Sequence, residues 1–249
     1  MTLVLDPPRN CKLCPRLVDY RHSARIDYPD WHNAPVPSFG PETASLLIVG
    51  LAPGLKGANR TGRPFTGDYA GDLLFRTLIK FGFAKGSYEA RPDDGLTLIS
   101  ARITNAVRCV PPENKPTPAE IKTCRPYLEK TIDGTKGLKA IIALGRIAHD
   151  AVIKSFGEPL SAHSFAHGAV HNLDGPVLFD SYHCSRYNTN TGVLTDAMFE
   201  KVFASVRAHI DGCSSRLICR NAKTPRHLGN LLCCHADRQR RGKRLKTEL

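Results

Sequence analysis

Two pairs of thiols and one crowded loop carry most of the chemistry written into this chain. Cys11 and Cys14 stand two residues apart, the minimal spacing at which two thiolates can face one ion, although a redox pair has the same spacing. Cys109 and Cys124 bracket a proline-rich loop, VPPENKPTP at 110–118. Together they make a four-thiolate set. The second half is far too long for a zinc knuckle, whereas iron–sulfur sites tolerate irregular spacing. The set therefore favours an iron–sulfur cluster over zinc, and a shared site over four unrelated cysteines.

The crowded loop begins at His183 and includes Ser185, Arg186, Tyr187, Asn188 and Asn190. A lone histidine is more often a satisfied buried one, but this density of polar groups beyond a strand end favours a functional loop. Asn105 also follows a strand, where its carboxamide can donate and accept in one plane or simply cap a turn. The glycine-rich stretch GLAPGLKGANRTGRPFTGD at 50–68 lets backbone amides approach an anion or a flat ring. It matches neither the P-loop nor the dinucleotide pattern, so it serves another ligand. Asp68 closes that stretch, either as a helix N-cap or as a working carboxylate. His163, His167 and His171 recur every four residues, as metal ligands on one helix face would. Gly168 and the turn NLDGP at 172–176 argue instead for short extended segments, and no metal site is expected there.

The elements that must position these groups alternate. Apolar runs at 46–49, 96–100, 138–144 and 176–179 read as strands. Helical spacing follows them: Leu73, Leu74, Leu78 and Ile79 after Asp68, a capping box at Thr117 and Glu120, an apolar face after Gly145, and a helix over 196–209. The alternation predicts an α/β chain, a three-layer α/β/α arrangement around a central, mainly parallel four-stranded sheet. The glycine loop, Asn105 and the His183 loop then share the rim formed by the strand C-termini, where α/β proteins bind ligands. Residues 1–45 show no strong periodicity.

The chain carries 249 residues, nine cysteines and a net charge of +12. Residues 211–249 hold +7 of that charge and lose the apolar pattern, so the expected division is a domain over 1–210 and a disordered basic tail. Such a balance favours a polyanionic partner, most simply nucleic acid. No run approaches the roughly 18 apolar residues of a membrane span, and no basic-then-apolar signal opens the chain. We expect a cytoplasmic monomer with no membrane partner, in which cysteines serve ligation rather than disulfides.

Taken in order, the motifs GLAPG (50–54), GRPFTGD (62–68), TNAVRC (104–109), AHG (166–168) and HCSRYNTNTG (183–192) resemble those of the family 5, or type b, uracil-DNA glycosylases. The resemblance covers about residues 8–207, and the four cysteines match the iron–sulfur branch of that superfamily. Two departures matter. Leu51 and Ala52 occupy positions where many relatives place an acidic residue that brings in water, a residue family 5 members also lack. Cys184 stands where many read proline.

The resemblance implies excision of uracil from double-stranded and possibly single-stranded DNA, with other deaminated bases such as hypoxanthine as further substrates and a 4Fe–4S cluster on Cys11, Cys14, Cys109 and Cys124. It implies that Gly50, Leu51, Ala52 and Asn105 read the base, that Phe65 stacks on it, and that His183 supports the leaving anion. Asp68 is the candidate for orienting water. Ser185, Arg186, Tyr187 and Asn188 would meet the DNA, with Tyr187 and Arg186 entering the vacated stack. A catalytically inactive iron–sulfur DNA-binding protein and an electron-transfer protein are the alternatives; base release separates the first, a reversible redox couple without DNA affinity the second.

Overall fold

Every residue from Leu46 to Gly50 is buried, as a central strand covered on both faces requires. The computed structural model describes residues 6–212. Its elements run α1 (Pro15–Asp27), β1 (Leu46–Gly50), α2 (Ala58–Thr61), α3 (Tyr69–Lys80), β2 (Ala84–Lys85), β3 (Thr97–Leu98), β4 (Ala101–Asn105), α4 (Pro118–Gly134), β5 (Ala140–Leu144), α5 (Arg146–Ser155), β6 (Val170–Asn172), β7 (Val177–Ser181), α6 (Arg186–Asn190) and α7 (Asp196–Ile210). The main sheet has the order β4-β1-β5-β7-β6. Its first four strands are parallel, and β6 runs antiparallel along the edge of β7.

Helices cover both faces. Leu47 and Val49 of β1 and Ile141 and Ala143 of β5 pack with Leu128 of α4 and Val152 of α5, which leaves Leu46 and Ile48 to the opposite face by strand alternation. The helices α3 and α7 run together through Arg76–Asp196 and Lys80–Glu200, with Phe81 on Phe203 beneath. No described helix is long and apolar enough to cross a membrane.

The α/β layering follows the sequence reading, with four differences in detail. The sheet has five strands, because the extended segment at 170–172 pairs with β7. The expected strand at 96–100 is two pieces: Thr97–Leu98 pairs with β2, and Ser100, at φ 54°, turns the chain into β4. Asn105 is therefore the last residue of a strand rather than one beyond it. Ile79 is partly exposed instead of joining the apolar face of α3. Finally, α1 escaped the periodicity test because its buried stripe is Leu17, Arg21 and Ala24, with a guanidinium in the middle. The capping box forms as expected, with Glu120 N donating to Thr117 Oγ1 and Thr117 N donating to a Glu120 oxygen.

The chain divides into two units at Val206 and Arg207. In the second, Arg207 Nη2 donates to Asp211 Oδ1 at 2.7 Å. The basic tail expected over 211–249 lies, from residue 213 onward, outside the described residues.

Three buried arginines hold the irregular segments. Arg108 donates to Asp6 Oδ1 at 2.6 Å, Ser38 Oγ at 2.9 Å and Thr131 Oγ1 at 2.7 Å. Arg63 forms a two-bond fork to Asp94, at 2.8 and 2.6 Å, and a third bond to Thr66 Oγ1. Its guanidinium also lies over the rings of Phe39, Phe75 and Tyr88. The third, Arg21, reaches the thiols described below.

The Arg63 fork holds the Asp94 carboxyl well below the usual carboxylate range, against the opposing effect of its burial. A depressed carboxyl contributes stability above its unfolded pKa that is lost as pH falls toward the folded value. Asp94→Asn leaves a buried guanidinium without its counter-charge, so it should destabilise by about 3 kcal/mol at pH 7. The gap from the unmodified protein should narrow below pH ~4. Denaturant unfolding at both pH values measures this; a gap independent of pH would mean that charge plays no part.

Candidate active site and thiol centre

Parallel pairing of β1 with β4 sets Gly50 opposite Asn105 in register. A Cβ on Gly50 would come within 2.4 Å of Asn105 Oδ1 and 2.6 Å of Phe65 Cζ. Only a residue without a side chain permits that approach. The backbone continues the register past the strands, with Ala106 N donating to Gly50 O and Val107 N donating to Leu51 O. Gly50, Leu51 and Asn105 thus meet at one rim, and Phe65 closes over them.

Phe65 sits at φ 55°, a conformation that non-glycine residues rarely adopt and that costs of order 1–3 kcal/mol. Its surroundings impose it. Arg63 is fixed by Asp94, Tyr88 Oη donates to Phe65 O at 3.2 Å, and the carbonyl lies so near Gly71 that a Cβ there would be 2.0 Å away. The ring centroid of Phe65 is 5.9 Å from that of His183. His183 in turn packs its Cβ toward Gly145, and its carbonyl accepts from Asn188 Nδ2 at 2.8 Å. Burial pushes the His183 imidazole down to a pKa of about 4, so at neutral pH it is uncharged.

Asp68 holds the N-cap position of α3 without a capping hydrogen bond from its side chain. Its Oδ1 is buried with no partner. Gly54 and Gly57 leave room for the carboxylate: a Cβ on Gly57 would be 2.4 Å from Oδ2. Desolvation raises its pKa, opposed by the nearby amides of Gly71 and Ala70. An N-cap serves chiefly to satisfy amides; this carboxylate is desolvated and leaves one oxygen unused. Its charge also bears on the buried thiol of Cys184, the neighbour of His183, after burial itself. The Cys184 thiol donates to Ala70 O at 3.4 Å, a tie that a proline in that place could not make.

The stretch expected as loop is a short helix over Arg186–Asn190, α6, N-capped by Ser185 Oγ, which accepts from Asn188 N. Arg186 stacks over Tyr69 at 5.2 Å, and Tyr187 is 74% exposed. They stand out from the rim rather than inside it.

Cys11, Cys14, Cys109 and Cys124 line one pocket with Leu17, Val107 and Tyr127. Arg21 Nη1 donates to Cys109 Sγ at 3.3 Å, and Arg108 N donates to Cys124 Sγ at 3.4 Å. Burial, followed by neighbouring thiols and Glu120, pushes Cys14 up to about 11, and burial pushes Cys109 up to about 12. Thiols so placed become thiolates only with strong positive charge beside them. Ala52 packs on this same thiol core, which joins the glycine loop to the centre.

Arg21, Arg63 and Arg108 were invisible as site residues, because an arginine in a sequence reads as surface. His163, His167 and His171 do not share a helix face, as expected. His167 Nδ1 accepts from Tyr182 N at 3.1 Å, and His171 joins His149 and Asp180. The latter grouping had no signal in spacing.

A family model described as "Uracil DNA glycosylase superfamily" matches residues 37–207. The chain is 45% identical to a Thermus thermophilus protein named type-5 uracil-DNA glycosylase, over 79% of this chain and 92% of that one. It is 39% identical to a Pyrobaculum aerophilum protein of the same name, over 82% and 90%. A Sulfurisphaera tokodaii protein named type-4 uracil-DNA glycosylase is 30% identical over 78% and 79%.

The environment of Asp68 yields a test that any simple cap would fail. A carboxyl raised by burial contributes full stability below its unfolded pKa and loses it as pH rises through the folded one. At pH 7 the buried charge is therefore a burden. Asp68→Asn removes it while keeping an N-cap residue type of equal quality. The variant should unfold at a higher temperature than the unmodified protein at pH 7, with the difference vanishing toward pH 4; equal midpoints at both pH values would count against this account.

Proposed function

The chain belongs to the uracil DNA glycosylase superfamily, and on that footing we propose that it excises uracil from DNA by hydrolysing the N-glycosidic bond and leaving an abasic site. The observation that carries this reading is the meeting of Gly50, Phe65, Asn105 and His183 at one rim, which brings together a ring to stack on a base, a carboxamide to read its edge and a neutral imidazole.

A base in a duplex must first leave the stack, which costs a few kcal/mol and is cheapest at a mispair. Tyr187 and Arg186, on the exposed face of α6, are the groups to fill the gap. Phe65 stacks on the extruded ring, a contact worth roughly 1–3 kcal/mol. Asn105 and the backbone around Gly50, Leu51 and Ala52 read its edge; the strained φ of Phe65 keeps the ring in place before any base arrives.

Bond cleavage leaves an oxocarbenium-like sugar and a base anion. His183, neutral at pH 7, donates a hydrogen bond to the anion's carbonyl oxygen. A preorganised donor of that kind acts without reorganising at the moment of reaction. DNA phosphates stabilise the sugar cation. Asp68, with an unused oxygen in a desolvated setting, orients the attacking water. Hypoxanthine, a poorer leaving group, extends the substrate range and leans harder on this assistance.

Cys11, Cys14, Cys109 and Cys124 are the residues to hold a 4Fe–4S cluster. Such a cluster supplies a crosslink between the N-terminal segment and the Cys109 loop, and takes no part in the chemistry. Ala52 and the Val107–Leu51 hydrogen bond pass that rigidity to the base-reading loop.

Two experiments test the reading. Purified protein should release uracil from duplex substrates in single turnover. His183→Ala should slow release about 10²–10³-fold, the scale of a lost oxyanion donor. Asp68→Asn should lose more on hypoxanthine than on uracil. Rates unchanged in His183→Ala would remove the assignment, and DNA binding without base release would favour an inactive protein of this fold. Separately, anaerobically purified protein should contain iron and acid-labile sulfide, and Cys11→Ala should lower the unfolding midpoint more than it slows release by the folded fraction. Stoichiometric zinc on the thiols without iron would overturn the cluster.

A further inference from the structure

Away from the rim, His149 of α5, His171 of β6 and Asp180 of β7 place their ligand atoms within 4.8 Å of one another. Asp180 and His149 are fully buried, and the His171 side chain is 11% exposed. His149 Nδ1 lies 2.8 Å from Asp180 Oδ1, and His171 Nε2 lies 3.0 Å from Asp180 Oδ2. The other nitrogen of His149, Nε2, is 2.8 Å from the carbonyl oxygen of His163.

A carbonyl oxygen only accepts, so Nε2 of His149 carries the proton. In the neutral ring Nδ1 is then a bare lone pair, aimed at a carboxylate oxygen. Two acceptors at 2.8 Å require a proton or a metal ion between them. The imidazole orientation is also the one that metal-ligating histidines adopt, with the distal N–H fixed by a backbone carbonyl. His171 brings a second imidazole nitrogen to the other oxygen of the same carboxylate.

We propose that His149 Nδ1, His171 Nε2 and Asp180 form a structural binding site for a divalent transition-metal ion, with zinc as the best match. Imidazole and carboxylate donors without thiolate suit zinc and disfavour copper(I) or an iron–sulfur centre. Three protein ligands leave one tetrahedral position for water. Bond lengths of about 2.0–2.1 Å place tetrahedral ligand atoms about 3.3 Å apart; since His149 and His171 contact different oxygens of Asp180, at 2.8 and 3.0 Å, the ion would enter as both contacts open and the carboxylate turns one oxygen toward the two imidazoles. The ion would clamp the edge strand β6 and helix α5 onto β7, directly before the His183 loop. The thiol centre is built from other residues, and base release is not required of this site.

The test uses the full chain with its iron retained. After dialysis against EDTA, one equivalent of Zn²⁺ is added and unbound metal removed. The unmodified protein should keep about one zinc without losing iron, with an absorption fine structure showing only nitrogen and oxygen neighbours. Free zinc at a hundredfold excess over Kd should raise the unfolding midpoint by about 5–10 °C. His171→Gln, at the least buried of the three, should lose both the retained zinc and the shift. No retained zinc, sulfur neighbours, or equal retention by His171→Gln would overturn the site and leave a proton as the charge between His149 and Asp180. The absorption measurement needs no variant and so decides even if His171→Gln fails to fold.

Discussion

At Gly50 the chain has no space for a single methyl group. The strand that ends there lies between two others, its partner across the register is Asn105, and the ring of Phe65 crosses above it. Gly50 and Phe65 open and close the glycine loop and Asn105 ends β4, so the absence of one Cβ is what lets both ends of that loop and the β4 terminus occupy one place. The rest of the rim is built to keep that convergence. Arg63 holds the turn from below, and Tyr88 and Gly71 fix the Phe65 carbonyl. The φ of 55° at Phe65 persists because these neighbours over-determine it.

Much of the frame outside the sheet depends on buried guanidinium groups rather than apolar contacts. Arg108 ties Asp6 and Ser38 to α4, and Arg21 ties α1 to the thiols. Long irregular segments bury little apolar surface, and a planar fork of donors can satisfy several carbonyls and carboxylates at once. Such pairs add less net stability than their number suggests, because desolvation offsets most of the attraction. They specify which segments meet. The glycine loop gains from this indirectly, since Ala52 rests on the thiol core that α1 and α4 enclose.

Two ionisable groups flank the rim, and burial moves them in the direction their proposed roles need. His183 is lowered until it is neutral at physiological pH, a state in which it still has one N–H to donate to a developing anion. Asp68 is raised by burial against the opposing amides of Gly71 and Ala70, and one of its oxygens is buried without a partner. Neither shift comes from a dedicated charged partner. Both follow from an enclosed setting, which strengthens the field of each group on a substrate and charges the fold for keeping Asp68 there.

The layering, three of the four parallel strands and the rim shared by the 50–68 loop, Asn105 and the His183 loop are legible in the residues alone. Runs such as 46–49 and 138–144 are apolar at every position, and only burial on both faces explains that. Spacing and the surrounding motifs also single out Cys11, Cys14, Cys109 and Cys124, which line one pocket. What the sequence left dark has a common cause. Periodicity reports apolar burial, so a helix whose inward stripe contains Arg21 reads as no helix, and β4, with Arg102 inside it, was displaced to a neighbouring run. The edge strand at 170–172 is too short to carry a pattern. Whether Asp68 caps or is desolvated, and whether His149 meets His171 and Asp180, depends on distances across the fold. No local pattern encodes such a distance; only the packing of α5 and β6 on β7, and of the glycine loop on α3, decides it.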